Sequence, residues 1–238
     1  MSSQSVSIGI VIPAYNEGPV IGEVLSKIPR TIAGHSVKIV VINDGSKDNT
    51  AAEVAKHKDV LLINHLLNSG VGAATRTGLT YAENIGFDLV ATYDGDGQHH
   101  PKDLVKVVEA ALDNKADIVI GSRLADLEGM PWYKTIGNFG LSTITYIIFG
   151  SFVLDSQSGL KAFNKSALHS VRFKSNDYSF CSEIIWRAKQ QKLSITEIPI
   201  RAIYTGYSTS KANRQLKING FNLIGQMLKR RLIGLINE

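Results

Sequence analysis

Apolar residues run almost unbroken through five short, β-branched stretches in the first half of the chain: VSIGIVI at 6–12, VKIVVIN at 37–43, VLLIN at 60–64, DLVATYD at 88–94 and DIVIGS at 117–122. A strand with one wet face would alternate apolar and polar positions, so these runs predict strands covered on both faces. Between them, apolar positions recur at helical spacing near 18–28, 48–57, 69–84 and 102–114. Asp48 and Ser69 are expected as N-caps, and Pro101 as the opening residue of the fourth helix. Strand and helix alternating at this interval predict βαβ units, hence an α/β fold with a mostly parallel sheet.

After residue 130 the pattern changes. A long apolar, hydroxyl-rich helix is expected at 132–149, followed by SQSGLKAF, a helix at 182–192, a strand at 195–204 (ITEIPIRAIY) and a terminal helix over about 212–236. No repeat or low-complexity linker divides the chain, so residues 1–210 read as one domain and 211–238 as an appendage. In that appendage Phe221, Ile224, Leu228, Leu232 and Leu235 recur at helical spacing, with Lys217, Lys229 and Arg230 able to face elsewhere. A basic amphipathic helix of this kind is expected at an anionic membrane surface, the plainer alternative being a helix packed on the sheet with its basic end in water. Residues 135–154 are uncharged and long enough to span a bilayer, but Asn138 and several Thr, Ser and Gly make an interfacial or buried position the better expectation.

Composition narrows the class. Of 238 residues 44% are hydrophobic and 20% charged, which suits a packed core rather than a disordered chain. The net charge of +5 is concentrated at the end, because residues 211–238 carry six cations against Glu238 alone. The first 210 residues are therefore balanced, which excludes a globally basic nucleic-acid binder. Cys181 is the lone cysteine, so neither an internal disulfide nor a CxxC metal or redox site exists, and an inert structural thiol is expected. No Lys or Arg precedes Lys27 and the first apolar run stops at Pro13, so a secretory signal is not expected.

Candidate chemistry gathers where the predicted strands end. YDGDGQHH closes the fourth, and open α/β sheets bind ligands at the carboxyl ends of their strands. Asp94, Asp96 and Gln98 offer hard oxygen ligands at a spacing that suits Mg²⁺ or Mn²⁺, although a polar Asp-Gly turn is an equally good reading of this segment alone. IPAYNEG places Tyr15 and Glu17 after the first strand, INDGSKDNT places Asp44 after the second, and IGSR places Arg123 after the fifth. Such a set converging on one sheet edge would serve a ribose, a base, a pyrophosphate and its metal. His99 and His100 are expected as surface loop histidines, with a ligand or donor contact as the alternative, and GVGAATRTG (70–78) as helix–sheet packing with some nucleotide contact.

The ordered set IPAYNE, NDGS, DGDGQH, GSR and SQSGLKAF resembles family 2 glycosyltransferases of the GT-A fold, over about residues 6–211. Within that family the chain is most similar to polyprenyl-phosphate glycosyltransferases of the dolichol-phosphate mannose synthase type. The resemblance implies that Pro13, Tyr15, Glu17 and Asp44 hold the base and ribose of a nucleotide-sugar, and that Asp94, Asp96 and Gln98 form the metal site at the donor diphosphate. It implies that Arg123 lies near the donor and acceptor phosphates, that Ser158 and Gly159 line the acceptor side, that Lys134 is the acceptor-side basic residue before the amphipathic helix, and that Ser210 and Lys211 make a late phosphate contact. Two departures stand out. Leu160 replaces a common Phe, and the arginine that mannose synthases carry after this strand falls here at Tyr204–Thr205. The second departure shifts the expected donor from GDP-mannose to a UDP-sugar.

The expectation is therefore an inverting, Mg²⁺- or Mn²⁺-dependent enzyme that moves a sugar from a nucleotide-sugar to a polyprenyl phosphate for cell-surface glycan or glycoprotein assembly. Such an enzyme is expected at the cytoplasmic face of a membrane, with a small membrane protein or a second copy as partner. A lipid phosphate is already an anion and needs no strong general base, whereas a hydroxyl acceptor does, and Glu183 is the candidate base for that route. The alternatives are a family 2 transferase acting on a polysaccharide hydroxyl, and a non-catalytic nucleotide-sugar-binding module at the membrane. A helix N-terminal carboxylate is the plainer reading of Glu183.

Overall fold

The computed structural model describes residues 5–113, 116–128, 130, 132–203, 224–229 and 231–232. Strands β1 (Ile8–Ala14), β3 (His35–Asn43), β4 (Val60–Asn64), β5 (Leu89–Thr92) and β6 (Ile118–Ser122) fall on the five apolar runs. A short β2 (Thr31–Ile32) pairs with the start of β3, and two late strands, β7 (Lys161–Asn164) and β8 (Ile195–Pro199), complete the sheet. The order is β4-β3-β1-β5-β7-β6-β8. All pairings along this path are parallel except those of β7, which runs antiparallel between β5 and β6.

The unbroken apolar runs follow from cover on both faces. Ile8, Ile10, Ile12, Ile39 and Val41 pack on one side, against α1 (Ile21–Lys27) and α4 (Pro101–Leu112). Val11, Val40, Ile42, Val90 and Ile120 pack on the other, against α3 (Val71–Ile85), α6 (Lys165–Ser170) and α7 (Phe180–Gln190). Gly78 of α3 lets that helix approach β1, since a Cβ there would lie 2.2 Å from Val11. Pro101 opens α4 as expected, with the side chain of His100 accepting from the Lys102 N–H. The other two caps shift by one residue: α2 (Thr50–Ala55) begins after Asn49 and α3 after Gly70. Asp48 instead accepts from the Thr50 amide and hydroxyl, and the Gly18 N–H, so it ties two loops together.

The long helix α5 (Trp132–Phe149) is turned inside out. Its buried positions include Lys134, Ser142 and Thr145, while Trp132, Ile136 and Ile147 are 74%, 64% and 73% exposed. The inward hydroxyls form a buried network: Ser142 and Thr145 bond Ser156, Thr145 meets Ser182 of α7, and the Gln157 amide donates to Ser156 and Ser182. Residues 224–229 and 231–232 are helical, and Met227 packs with Phe149 and Trp186 while Leu228 and Leu232 stay exposed. Among its described residues this helix packs on α5 and α7. Among the described residues no helix is long and apolar enough to cross a membrane. Tyr204, Thr205, Ser210, Lys211, Phe221 and Leu235 lie outside the described residues.

Candidate active site

Parallel strands ending at one edge bring their exit loops together. The loop after β1 is stitched to the loop after β3: the amides of Asn16, Glu17 and Gly18 donate to Ser46, Thr50 and Asp48, and Asn16 Oδ1 accepts from the Lys47 N–H. Asn16 adopts φ +53°, a left-handed conformation that asparagine tolerates better than most residues. The stitched loops present Pro13, Tyr15 and Glu17 to a cavity of about 410 Å³. Asp44, Asp94, Asp96, Gln98 and Arg123 line the same cavity, so eight of the sequence-predicted residues meet there. Gly70, Val71 and Ala74, from the start of α3, complete that wall.

Asp44 is buried, with both oxygens engaged. Oδ1 accepts from the Ser69 N–H at 2.9 Å and pairs with His65 Nδ1 at 2.8 Å, and Oδ2 accepts from the Gly70 N–H at 2.8 Å. Its charge thus organises the entry to α3. Gly70, at φ +96°, leaves no room for a side chain, because a Cβ would meet the Asn176 carbonyl oxygen at 2.3 Å. That contact seats the 175–178 loop, which adds Asp177 and Tyr178 to the cavity.

Asp94 follows β5. His99 Nε2 meets its Oδ2 at 2.9 Å, and Oδ1 accepts no hydrogen bond among the described residues. His99 is only 3% exposed, so it is not a surface loop residue: it stands behind Asp94, and its carbonyl accepts from the buried Tyr93 hydroxyl at 2.6 Å. Burial alone would raise the Asp94 carboxyl, but the His99 contact and the charges of His99, Arg123 and Lys161 outweigh it and hold the group below its ordinary range. Asp96 accepts from the Gln98 backbone N–H at 3.0 Å and from Gln98 Nε2 at 2.8 Å, which leaves Gln98 Oε1 as an acceptor. Two carboxylates and an amide oxygen on one wall fit a hard divalent cation that keeps open positions for water and phosphate oxygens. Among the described residues no group of three His, Cys, Asp or Glu side chains is placed to hold a metal, so a cation here would depend on that amide and on its substrate.

Arg123 is oriented by a residue the sequence reading passed over. Asp155, fully buried, accepts from the Arg123 backbone N–H at 3.0 Å, from Nε at 2.8 Å and from Nη2 at 2.9 Å. Burial opposes ionisation of Asp155, but the Arg123 guanidinium more than compensates and keeps its carboxyl low. The amides of Leu154 and Asp155 donate in turn to Glu197 on β8. Lys134 is also buried. Its ammonium is shifted down by burial and by Arg123, with Asp96 opposing, so its charge is felt at the cavity.

Four predicted residues, Lys134, Ser158, Gly159 and Glu183, do not line the cavity. Ser158 is buried, and the half-buried Gly159 packs directly against the Asp94 carboxylate. Glu183 is buried with Oε1 accepting from the Lys174 N–H, and Oε2 accepting from the Ser175 amide and hydroxyl. In this structure Glu183, in the first turn of α7, holds the 174–175 loop. Cys181 is buried, and burial pushes its thiol up. Signals for Asp155 and Tyr178 were thin. Asp155 stands one residue ahead of the quoted SQSG motif, and Tyr178 lies in an irregular loop with no periodicity.

Comparison with known proteins agrees with this layout. The Glycosyl transferase family 2 profile matches residues 9–180. The chain is 38% identical to the UDP-N-acetylglucosamine–dolichyl-phosphate N-acetylglucosaminyltransferase of Methanococcus voltae, over 93% of this chain and 94% of that one. It is 27% identical to the polyprenol monophosphomannose synthase of Mycolicibacterium smegmatis, over 80% and 75%. In fold it is similar to glucosyl-3-phosphoglycerate synthase of Mycobacterium tuberculosis crystallised with Mg²⁺ and uridine-diphosphate, with a TM-score of 0.70 at 19% identity over 94% and 79%. A parallel sheet with one inserted antiparallel strand, a site at its carboxyl edge and a family profile spanning both halves of that site lead to one assignment: the chain is a glycosyltransferase of family 2, with a GT-A fold.

Proposed function

We propose that the chain transfers a sugar from a UDP-sugar to a polyprenyl phosphate, with inversion at the anomeric carbon, at a membrane surface. The observation that carries this reading is the gathering of Tyr15, Glu17, Asp44, Asp94, Asp96, Gln98 and Arg123 around one cavity, in a chain 38% identical to a dolichyl-phosphate N-acetylglucosaminyltransferase. Pro13, Tyr15, Glu17 and Asp44 would receive the nucleoside. Asp94, Asp96 and Gln98 would hold Mg²⁺ or Mn²⁺, which when bound offsets the charge that develops on the departing diphosphate. Arg123, fixed by Asp155, would add a positive charge whose position costs nothing to organise during the reaction.

The engagement of Glu183 favours a phosphate over a hydroxyl acceptor. A hydroxyl needs a base, and this carboxylate has both oxygens tied to the 174–175 loop. A phosphate oxygen attacks as an anion, and the buried Lys134 is suited to steer it. Lys134 sits in the first turn of α5, whose outward apolar stripe would seat the enzyme among lipid head groups. UDP-N-acetylglucosamine is the donor to test first, and the product would feed glycan assembly on a lipid carrier.

The test is transfer of label from UDP-N-acetylglucosamine, UDP-glucose and GDP-mannose to undecaprenyl and dolichyl phosphate in detergent, with Mn²⁺ or Mg²⁺. A metal-dependent lipid monophosphate sugar, formed from a UDP-sugar and lost in Asp96→Ala, is expected. Preference for GDP-mannose would overturn the donor assignment. Donor binding without lipid product, even with native membranes added, would overturn the acceptor.

A further inference from the structure

Lysine is almost never fully buried without a specific role, yet Lys161 is 1% exposed. It is the first residue of β7 and lies in register between Thr92 of β5 and Ile120 of β6. Its ammonium donates to the carbonyl of Ser158. The next carbonyl, that of Gly159, accepts from the Thr92 hydroxyl at 2.7 Å. Two consecutive carbonyls are thus gripped from below by side chains paired across adjacent strands. The turn they carry presses on Asp94, because a Cβ added to Gly159 would lie 2.2 Å from both carboxylate oxygens. Lys161 does not line the cavity.

We infer that Lys161 is a positioning residue: with Thr92 it clamps the Ser158–Gly159 turn so that the glycine closes against the Asp94 carboxylate and, together with His99, fixes its orientation toward the donor. An apolar side chain would fill the same slot, but only an ammonium donates to the Ser158 carbonyl. Its charge also helps hold the buried Asp155 carboxyl low, after the larger effect of Arg123.

This inference rests on the proposed role of Asp94 at the donor, and the experiment separates the two. Mn²⁺ binding in the presence of UDP is measured by the free-Mn²⁺ electron paramagnetic resonance signal, beside thermal melts, in the full chain and in Lys161→Met, Thr92→Val and Thr92→Ser. Loss of a supporting contact to a metal ligand weakens affinity by about 10–100-fold. Lys161→Met should show that loss while melting cooperatively, Thr92→Val should show a smaller loss in the same direction, and Thr92→Ser, which keeps the hydroxyl, should recover wild-type binding. Wild-type binding in both Lys161→Met and Thr92→Val would overturn the inference. If Lys161→Met does not fold, the contrast between Thr92→Val and Thr92→Ser decides it. No Mn²⁺–UDP binding by the wild type would instead sink the functional reading beneath it.

Discussion

Gly159 shows how much a single absent side chain decides. It adds nothing to the chemistry, yet any Cβ there collides with Asp94, which is rigidly backed by His99. Gly159→Ala should therefore keep the fold and lose donor and metal binding, by about tenfold or more on the scale of damaged metal-ligand support, read as a rise in donor KM with Mn²⁺. Asp155 makes the opposite case, an ion whose removal strands its partner. Breaking a buried pair costs about 3–5 kcal/mol, so Asp155→Asn should lower the melting temperature and kcat together. Because the folded carboxyl is held low, its stabilisation is present above the unfolded pKa of about 3.9 and is lost as pH falls through the folded value. The stability gap between wild type and Asp155→Asn should thus be full at pH 7 and close in strong acid, which urea titrations across pH would check. At this scale the sequence disclosed donors and carboxylates at strand ends, because strand ends are legible. The residues that orient them, Asp155, His99 and Lys161, were not, since a single buried polar side chain carries no periodic signature.

Among elements, α5 is the one whose pattern was read without its direction. Its length and mixed composition were visible, and 132–149 was the expected span. Which face turns inward was not, because periodicity gives a stripe and not its address. The structure puts the hydroxyls inside, where Ser142, Thr145, Ser156, Ser182 and Gln157 satisfy one another, and leaves an aromatic and aliphatic stripe in solvent. Exposed apolar patches of this kind mark interaction surfaces. Ile136→Asp and Phe139→Asp should leave stability within about 0.5 kcal/mol, since neither side chain packs inward. Each should weaken binding to phospholipid vesicles by about tenfold, the worth of one buried aliphatic or aromatic side chain. Flotation with vesicles, beside the melting temperature, reads both. β7 and α6 were missed for a plainer reason: four and six residues are too few to show a period.

For the molecule as a whole, the parallel α/β plan followed from unbroken apolar runs alternating with helices, while the antiparallel return of the chain through the sheet did not, because no local signal records which strands become neighbours. Charge is also a whole-molecule property here, since the net +5 resides in residues 211–238. Vesicles containing anionic lipid should bind the chain more tightly than neutral ones, and added salt should erase the difference, as screening within about 10 Å at 0.1 M salt requires.

The placement of β7 has a consequence in time. Residues 161–164 fill the gap between β5, which ends at Thr92, and β6, which begins at Ile118. A nascent chain that has made β1 to β6 therefore still lacks the strand that joins β5 to β6. From Thr92 to Asn164 the ribosome adds 72 residues, about 4–14 s of synthesis at 5–20 residues per second. Throughout that interval the apolar edge of β5 waits unpaired, and a chaperone or a slow stretch of translation would act there before anywhere else.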